Sequence, residues 1–401
     1  MNPHFKVYRY RWVVLALFMF INLTIQVLWI SYAPITGLAA RFHGVSDLAI
    51  GFLAMSFMIA FIPLSIPVSW AIDSFGFRNT VGVGAILMGL FGILRGLAGS
   101  NFTLVLLATI GIAISQPFLL NAWTKLPALW FAAGERATVV GLITLANLIG
   151  TAIGMVATPL LTETMAIPDI QLAYGCMAAL SALLFIFLAR EKPASPPCPD
   201  GENARALMLD GLKHAFTVPS FRLYLIISFI GLGIFNGITT WTESMIRPRG
   251  FSPQDAGTVG ALLLAGGVLG AVIIPMLSDR TGRRKPFLIG GFLLGIPGLL
   301  GLTFATSPWL LFSSAFFTGV FLVSVNPIGM QYASEIAKPT PEGTSNGLIQ
   351  LCGQASVVFV YLMAALRTAN GSFTISLLFA AGMLVLGALL MSLLKDVRLK
   401  N

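Results

Sequence analysis

The chain has 401 residues, of which 57% are hydrophobic and only 10% charged, with a net charge of +9. That composition cannot cover a water-soluble surface, so a polytopic membrane protein is expected, its cations gathered on the cytoplasmic side of a bilayer and not on a nucleic acid. The three cysteines match no metal or redox spacing, and the apolar runs hold no Ser/His/Asp, His-cluster or paired-carboxylate constellation, so no cofactor, metal or enzymatic activity is expected.

A spanning helix needs about 20 largely apolar residues. Such runs fall near 12–37, 47–72, 79–99, 102–130, 137–161 and 170–189, then near 220–245, 254–278, 286–305, 308–334, 344–367 and 371–394. The expected fold is therefore an all-α membrane protein of twelve transmembrane helices in two pseudo-symmetric six-helix bundles, residues 1–189 and 220–401. The cytoplasmic linker between them, 190–219, contains the Pro-rich stretch Lys192-Pro-Ala-Ser-Pro-Pro-Cys-Pro. With the N-terminus placed inside, only Arg41, Arg95, Arg247, Arg249 and Arg367 of the 24 basic residues fall on the outer side, so both termini are expected in the cytoplasm. The first apolar run is long enough to span and lacks a small-residue cleavage site, so no cleaved signal is expected.

Between the second and third runs stands Ser69-Trp-Ala-Ile-Asp73-Ser-Phe-Gly76-Phe-Arg78. Its counterpart 206 residues later is Pro275-Met-Leu-Ser-Asp279-Arg280-Thr-Gly282-Arg283-Arg284-Lys285. An Asp at a helix end, a Gly turn and then cations suit a tight loop between two membrane helices, because Gly relaxes the turn and Asp can pair with cations or a helix N-terminus. The pattern resembles the G-x-L-x-D-R-x-G-R-R loop signature of major facilitator superfamily transporters. The second copy departs at Pro275, and the first is degenerate at Ser69, Ala71 and Ser74. The resemblance implies two halves that rock around one central site. In that scheme Asp73, Gly76 and Arg78, with Asp279, Arg280, Gly282, Arg283 and Arg284, lock the cytoplasmic side. Further pairs keep nearly the same register: Gly44-Val-Ser-Asp47 with Gly250-Phe-Ser-Pro-Gln-Asp255, Gln116-Pro117-x3-Asn121 with Asn326-Pro327-x3-Gln331, and Glu135/Gly141-Leu142 with Glu342/Gly347-Leu348.

Polar groups inside a bilayer are costly and point to a path or a site. All 15 acidic residues lie near helix ends or in loops, Glu243 among the outer ones, and the three histidines lie in loops or the N-terminal segment. No carboxylate or imidazole relay is visible, which weighs against a proton-driven pump, while Glu243 and Arg95 near an outer gate keep proton coupling open. At mid-depth the first span carries Asn22, Gln26, Trp29 and Tyr32 at spacings that hold one helical face. The other spans add Gln116 and Asn121, Asn236 and Trp241, Asn326, and Gln350 and Gln354. Some of these read better as scaffolding: Gln26, Asn147 and Gln350 as interhelical hydrogen-bond partners, and Gly150-x3-Gly154 as close packing. Trp241 reads equally as an interface aromatic. Trp29 lies too deep for an inner aromatic belt. The candidate binding set is Trp29, Tyr32, Gln116, Asn121, Asn236, Trp241, Asn326 and Gln354. Aromatics and carboxamides without a fixed negative charge suit a diffuse cation such as a quaternary ammonium. A carboxylate would need an arginine at mid-depth, where none is expected.

A closer resemblance rests on longer stretches. These are Arg9-Tyr-Arg11-Trp12 leading to Leu28-Trp29-Ile30-Ser31-Tyr32-Ala33-Pro34-Ile35, Phe61-Ile-Pro63-Leu-Ser-Ile-Pro67-Val-Ser-Trp70, Ser115-Gln116-Pro117-Phe-Leu-Leu-Asn121 with Trp130-Phe131, and Glu342-Gly343-Thr-Ser345-Asn-Gly347-Leu. Together they resemble the feline leukaemia virus subgroup C receptor family, whose vertebrate members are associated with choline and ethanolamine transport and, earlier, with haem export. The resemblance implies that Trp29, Gln116 and Gln354 occupy the family's site positions. Asn236 stands where the family has a tyrosine, which removes one aromatic wall and leaves a related amine open beside choline. A proton-coupled drug or metabolite exporter and a small-carboxylate carrier of the same fold stay open as alternatives. A compact monomer in a bacterial inner membrane is expected, with a small solute and the lipid bilayer as its partners.

Overall fold

A computed structural model describes residues 8–132, 135–195, 214–338 and 342–394. Most of the expected linker and both chain ends lie outside them. The described residues form helices and no extended strand. Twelve helical segments are long and apolar enough to cross a membrane: α1 Arg11–His43, α2 Asp47–Phe75, α3 Phe77–Leu97, α4 Phe102–Trp130, α5 Thr138–Leu161 and α6 Ile167–Leu188, then α7 Pro219–Arg249, α8 Pro253–Thr281, α9 Lys285–Phe304, α10 Pro308–Ile336, α11 Gly347–Ala365 and α12 Thr374–Ser392. The protein is an all-α integral membrane protein. Large apolar side chains such as Phe187, Val358 and Leu389 are exposed on its surface, where lipid contact carries no hydrophobic cost.

The chain divides into two compact units, Met1–Glu202 and Asn203–Asn401, and each repeats the same helix pairings. In the first, α1 packs on α5 and α6, α2 on α4, and α3 on α4 and α6. In the second, α7 packs on α11 and α12, α8 on α10, and α9 on α10 and α12. The Gly-x-Ser repeat before α2 and α8 has a local cause. Gly44 and Gly250 take positive φ at the ends of the preceding helical turns, and the hydroxyls of Ser46 and Ser252 accept from Ala49 and Asp255 N–H as N-caps. Close approach of α8 and α10 needs glycine outright: a Cβ on Gly270 would lie 1.9 Å from the Val320 carbonyl oxygen, and one on Gly319 1.9 Å from that of Leu263. Gly150 faces α1 in the same way, its added Cβ 2.2 Å from the Leu23 oxygen, which agrees with the packing role expected for Gly150-x3-Gly154.

Three spans are interrupted. α1 breaks at Ser31–Tyr32, passes through a 3-10 stretch Ala33–Ile35 and resumes over Thr36–His43, so it runs beyond the 37 expected from hydropathy. α4 breaks over 121–124 before the short segment Lys125–Trp130, and α11 is interrupted at Ser356. Every break lies within five residues of a candidate site side chain: Trp29 and Tyr32, Gln116 and Asn121, or Gln354. Pro117, by contrast, stays inside a regular helix, as Pro327 does.

Candidate functional site

In the first unit the carboxamides of α1 are largely tied up. Asn22 donates to the Phe18 carbonyl (2.8 Å), and its oxygen accepts from Trp123 Nε1 (2.7 Å) and Asn147 Nδ2 (3.4 Å). Thr151 reaches Gln26 Oε1 at 3.5 Å. This network joins α1 to α5 and to the α4 break, the gluing role expected for Gln26 and Asn147. Asn121 is similarly engaged, donating to the Ser65 carbonyl of α2 at 2.8 Å. Trp29 is half-buried, and its indole N–H donates to the Ala54 carbonyl at 3.3 Å. Gln116 is buried at 4% exposure, and its Oε1 has no hydrogen-bond partner.

Tyr32 does not share an open face with Trp29. It is 4% exposed and its ring lies 5.6 Å from the guanidinium carbon of Arg95. Arg95 lies at the end of α3, where the sequence places it, yet it does not point outward. From the last turn of α3 it turns inward to 1% exposure, with Nη1 on the Leu28 carbonyl at 2.9 Å and Nη2 on Ser31 Oγ at 3.4 Å. The first unit therefore encloses a cation at the end of α3. Glu243 of α7 is likewise buried at 2%, and Arg247 one turn on reaches it at 3.2 Å. Both burials have one cause: a long side chain near a helix end can fold back along the bundle instead of reaching out to water.

In the second unit Trp241 is neither an interface aromatic nor an open wall. It is 1% exposed, donates to the Val360 carbonyl of α11 at 2.9 Å and packs against Phe373 at 5.8 Å between ring centroids. Asn236 is half-buried beside the α11 interruption, its Nδ2 3.4 Å from the Gly353 carbonyl and 3.3 Å from Ser356 Oγ. Asn326 and Gln354 are half-buried. Of the eight side chains in the expected binding set, Tyr32, Gln116 and Trp241 are buried, while Trp29, Asn121, Asn236, Asn326 and Gln354 are half-buried.

The two signature loops are built differently. Asp73 pairs with Lys125 of α4 at 2.8 Å, and both are partly exposed. Gly76 (φ +89) sits where a Cβ would strike the Glu191 carboxylate, which accepts the N–H groups of Phe77 at 2.8 Å and Arg78 at 2.6 Å and so caps α3. Arg78 donates to the Ile186 carbonyl in the last turn of α6. In the second loop Gly282 takes φ +64 and closes α8, Arg280 and Arg283 face solvent, and Lys285 donates to the carbonyls of Ser392 and Leu394. Arg284, 6% exposed, bridges Asp279 and the buried Glu335 of α10, which is 3.2 Å away. Burial works against its charge, but the hydrogen bonds and charges of Asp279 and Glu335 outweigh that and hold the guanidinium above its ordinary range. Glu335, Lys125 and Glu191 were not singled out from sequence, although Lys125 and Glu335 stand 210 residues apart, the offset that relates Gln116-Pro117 to Asn326-Pro327. Among the described residues no group of three or more His, Cys, Asp or Glu could hold a metal.

Comparison with known proteins gives these features a context. The family model described as Major Facilitator Superfamily matches residues 13–253 and 243–400. Choline/ethanolamine transporter FLVCR2 of Homo sapiens is 28% identical over 98% of this chain and 79% of its own length. Choline/ethanolamine transporter FLVCR1 of Felis catus is 27% identical over 98% of this chain and 74% of its own. Among solved structures, a bacterial homologue of the human lysosomal transporter Spinster, inward-facing and unoccupied, superposes with a TM-score of 0.79 at 15% identity, covering 97% of each chain. The nucleoside transporter NupG does so with 0.74 at 15% identity, covering 95% of this chain and 98% of its own. These last two speak to the fold alone.

Proposed function

Since the chain belongs to the Major Facilitator Superfamily, we propose that it is a secondary transporter or facilitator that moves a small amine-bearing solute, with a choline-like ammonium as best guess, by alternating access of its two halves. Trp29 carries this reading. Its N–H is spent on the Ala54 carbonyl, so what a half-buried indole has left to offer is its π-face, which attracts a diffuse cation by about 1–2 kcal/mol when desolvated. Gln116 on α4 adds a buried amide oxygen without a donor, an acceptor suited to a hydroxyl or ammonium N–H. A carboxylate substrate would need donors instead, and the buried cation of this unit, Arg95, has its Nη groups on α1. The printed function of the relatives, choline/ethanolamine transport, supports the same class. The bias of basic residues supports cytoplasmic termini, and the two Asp-Gly-Arg loops are read as the cytoplasmic lock.

The test is a thermal-shift screen of the purified protein against choline, ethanolamine, betaine, haem, nucleosides and small carboxylates, since a bound ligand stabilises the fold in proportion to its occupancy. Choline or ethanolamine should raise the melting midpoint. Trp29→Ala should abolish that shift, and Trp29→Phe should keep part of it. Stabilisation by carboxylates with none by amines, or equal shifts in all three proteins, would remove the reading.

A further inference from the structure

The helix that carries Trp29 ends one residue later, and a side chain from another helix holds that end. A helix terminus leaves its last carbonyls without intrahelical donors. In α1 the Val27 carbonyl takes the Ser31 N–H at 3.1 Å, while the Leu28 carbonyl, next to Trp29, takes Nη1 of Arg95 at 2.9 Å and the Ser31 hydroxyl at 3.3 Å. Ser31 is fixed in turn by Arg95 Nη2 (3.4 Å) and by Gln171 Oε1 of α6 (3.3 Å). Tyr32 lays its ring 5.6 Å from the same guanidinium.

Arg95 is 1% exposed and, among the described residues, pairs with no carboxylate. A permanently charged guanidinium buried without a counter-ion is costly. What offsets the cost here is the partial negative charge at the C-terminus of the segment Arg11–Ile30, the Leu28 carbonyl and the Tyr32 face. All three belong to α1. A neutral side chain in this place would leave the Leu28 carbonyl with only the weaker Ser31 hydroxyl, and the turn at Ser31–Tyr32 without its clamp.

We propose that Arg95 is a positioning residue for the substrate site: from α3 it caps the first segment of α1, fixes where that helix breaks, and so sets the face that Trp29 presents to a ligand it never touches. The proposal rests on the reading of Trp29 as the wall for an ammonium solute, so its test includes an arm that needs no ligand. Hydrogen–deuterium exchange over residues 28–36 is compared in wild type, Arg95→Met and Arg95→Lys of the full-length protein, and choline affinity is measured on the same samples. Arg95→Met should speed exchange in that segment about tenfold and weaken choline about tenfold. Exchange in α2 should stay at its wild-type rate, and Arg95→Lys should recover part of both losses. Trp29→Phe should weaken choline and leave exchange unchanged. Wild-type exchange over residues 28–36 in a folded Arg95→Met overturns the proposal. If that variant does not fold, Arg95→Lys decides, because an ammonium cannot span Leu28 and Ser31 as the planar fork does: raised exchange supports the cap and wild-type exchange overturns it. A wild-type protein that binds no choline removes the substrate reading and leaves the exchange arm to judge the cap.

Discussion

Replacing Arg284 by Met should destabilise the second half far more than any other single change in its signature loop. The side chain is 6% exposed and bridges Asp279 to Glu335, which is itself 8% exposed. Without the guanidinium, Glu335 keeps only the Gln331 amide at 3.2 Å, and its Oε2 already lacks a partner. Removing one member of a buried ion pair costs about 3–5 kcal/mol, because the survivor stays buried and uncompensated. For a unit of this size that is a fall of roughly 6–20 °C in melting midpoint, readable by fluorescence-detected size exclusion after heating in detergent. The pair Arg284→Met/Glu335→Gln should recover about 2 kcal/mol relative to the sum of its single changes. Asp279→Asn should cost under about 1 kcal/mol, since its carboxylate is 61% exposed. The sign with pH follows from the raised guanidinium. Its stabilisation is complete below the ordinary guanidinium range and is lost only as pH climbs past its folded value, so between pH 6 and 10 Arg284 should add no slope. A melting midpoint within a degree of wild type for Arg284→Met, or strictly additive losses in the double change, would refute the bridge as a stabilising element.

Two further outcomes follow from the same geometry. Gly270→Leu should separate α8 from α10, because even a Cβ there would meet the Val320 oxygen at 1.9 Å; loss of the folded peak in size exclusion checks it, and Gly290→Leu, with nothing within 4 Å of its added Cβ, should behave as wild type. Asp279→Asn, nearly neutral for stability, should slow transport while choline affinity stays near wild type if the loop acts as a lock, and unchanged turnover in vesicles would count against that role.

The spans were legible because lipid imposes a crude rule: about 20 apolar residues between turn signals, and the Gly and Ser residues of 44–46 and 250–252 mark real helix ends. Side-chain direction was less legible. Trp29 and Tyr32, three apart on one idealised face, fall on either side of the break in α1: Trp29 stays half-buried, and Tyr32 is buried with its ring beside Arg95. Hydropathy and spacing carry no information about which way a long side chain near a helix end will fold. The partners of Trp241 and Asn121 were illegible for a related reason: the indole N–H and the amide N–H each donate to a carbonyl on a neighbouring helix, a pairing that only the packed bundle defines.

The repeat itself explains why the two loops differ. Position 125 in α4 and position 335 in α10 are equivalent at an offset of 210, and the first is lysine while the second is glutamate. Asp73 can therefore reach the end of α4 directly, lysine to carboxylate. Asp279 faces a like charge at the end of α10, so a cation must stand between them, and Arg284, the counterpart of Arg78 at an offset of 206, takes that place. Arg78, relieved of the task, turns to the last turn of α6, and Glu191 caps the backbone beside it. One reversal of charge at the end of a helix thus goes with the Arg-rich copy of the signature in one loop and the more degenerate copy in the other.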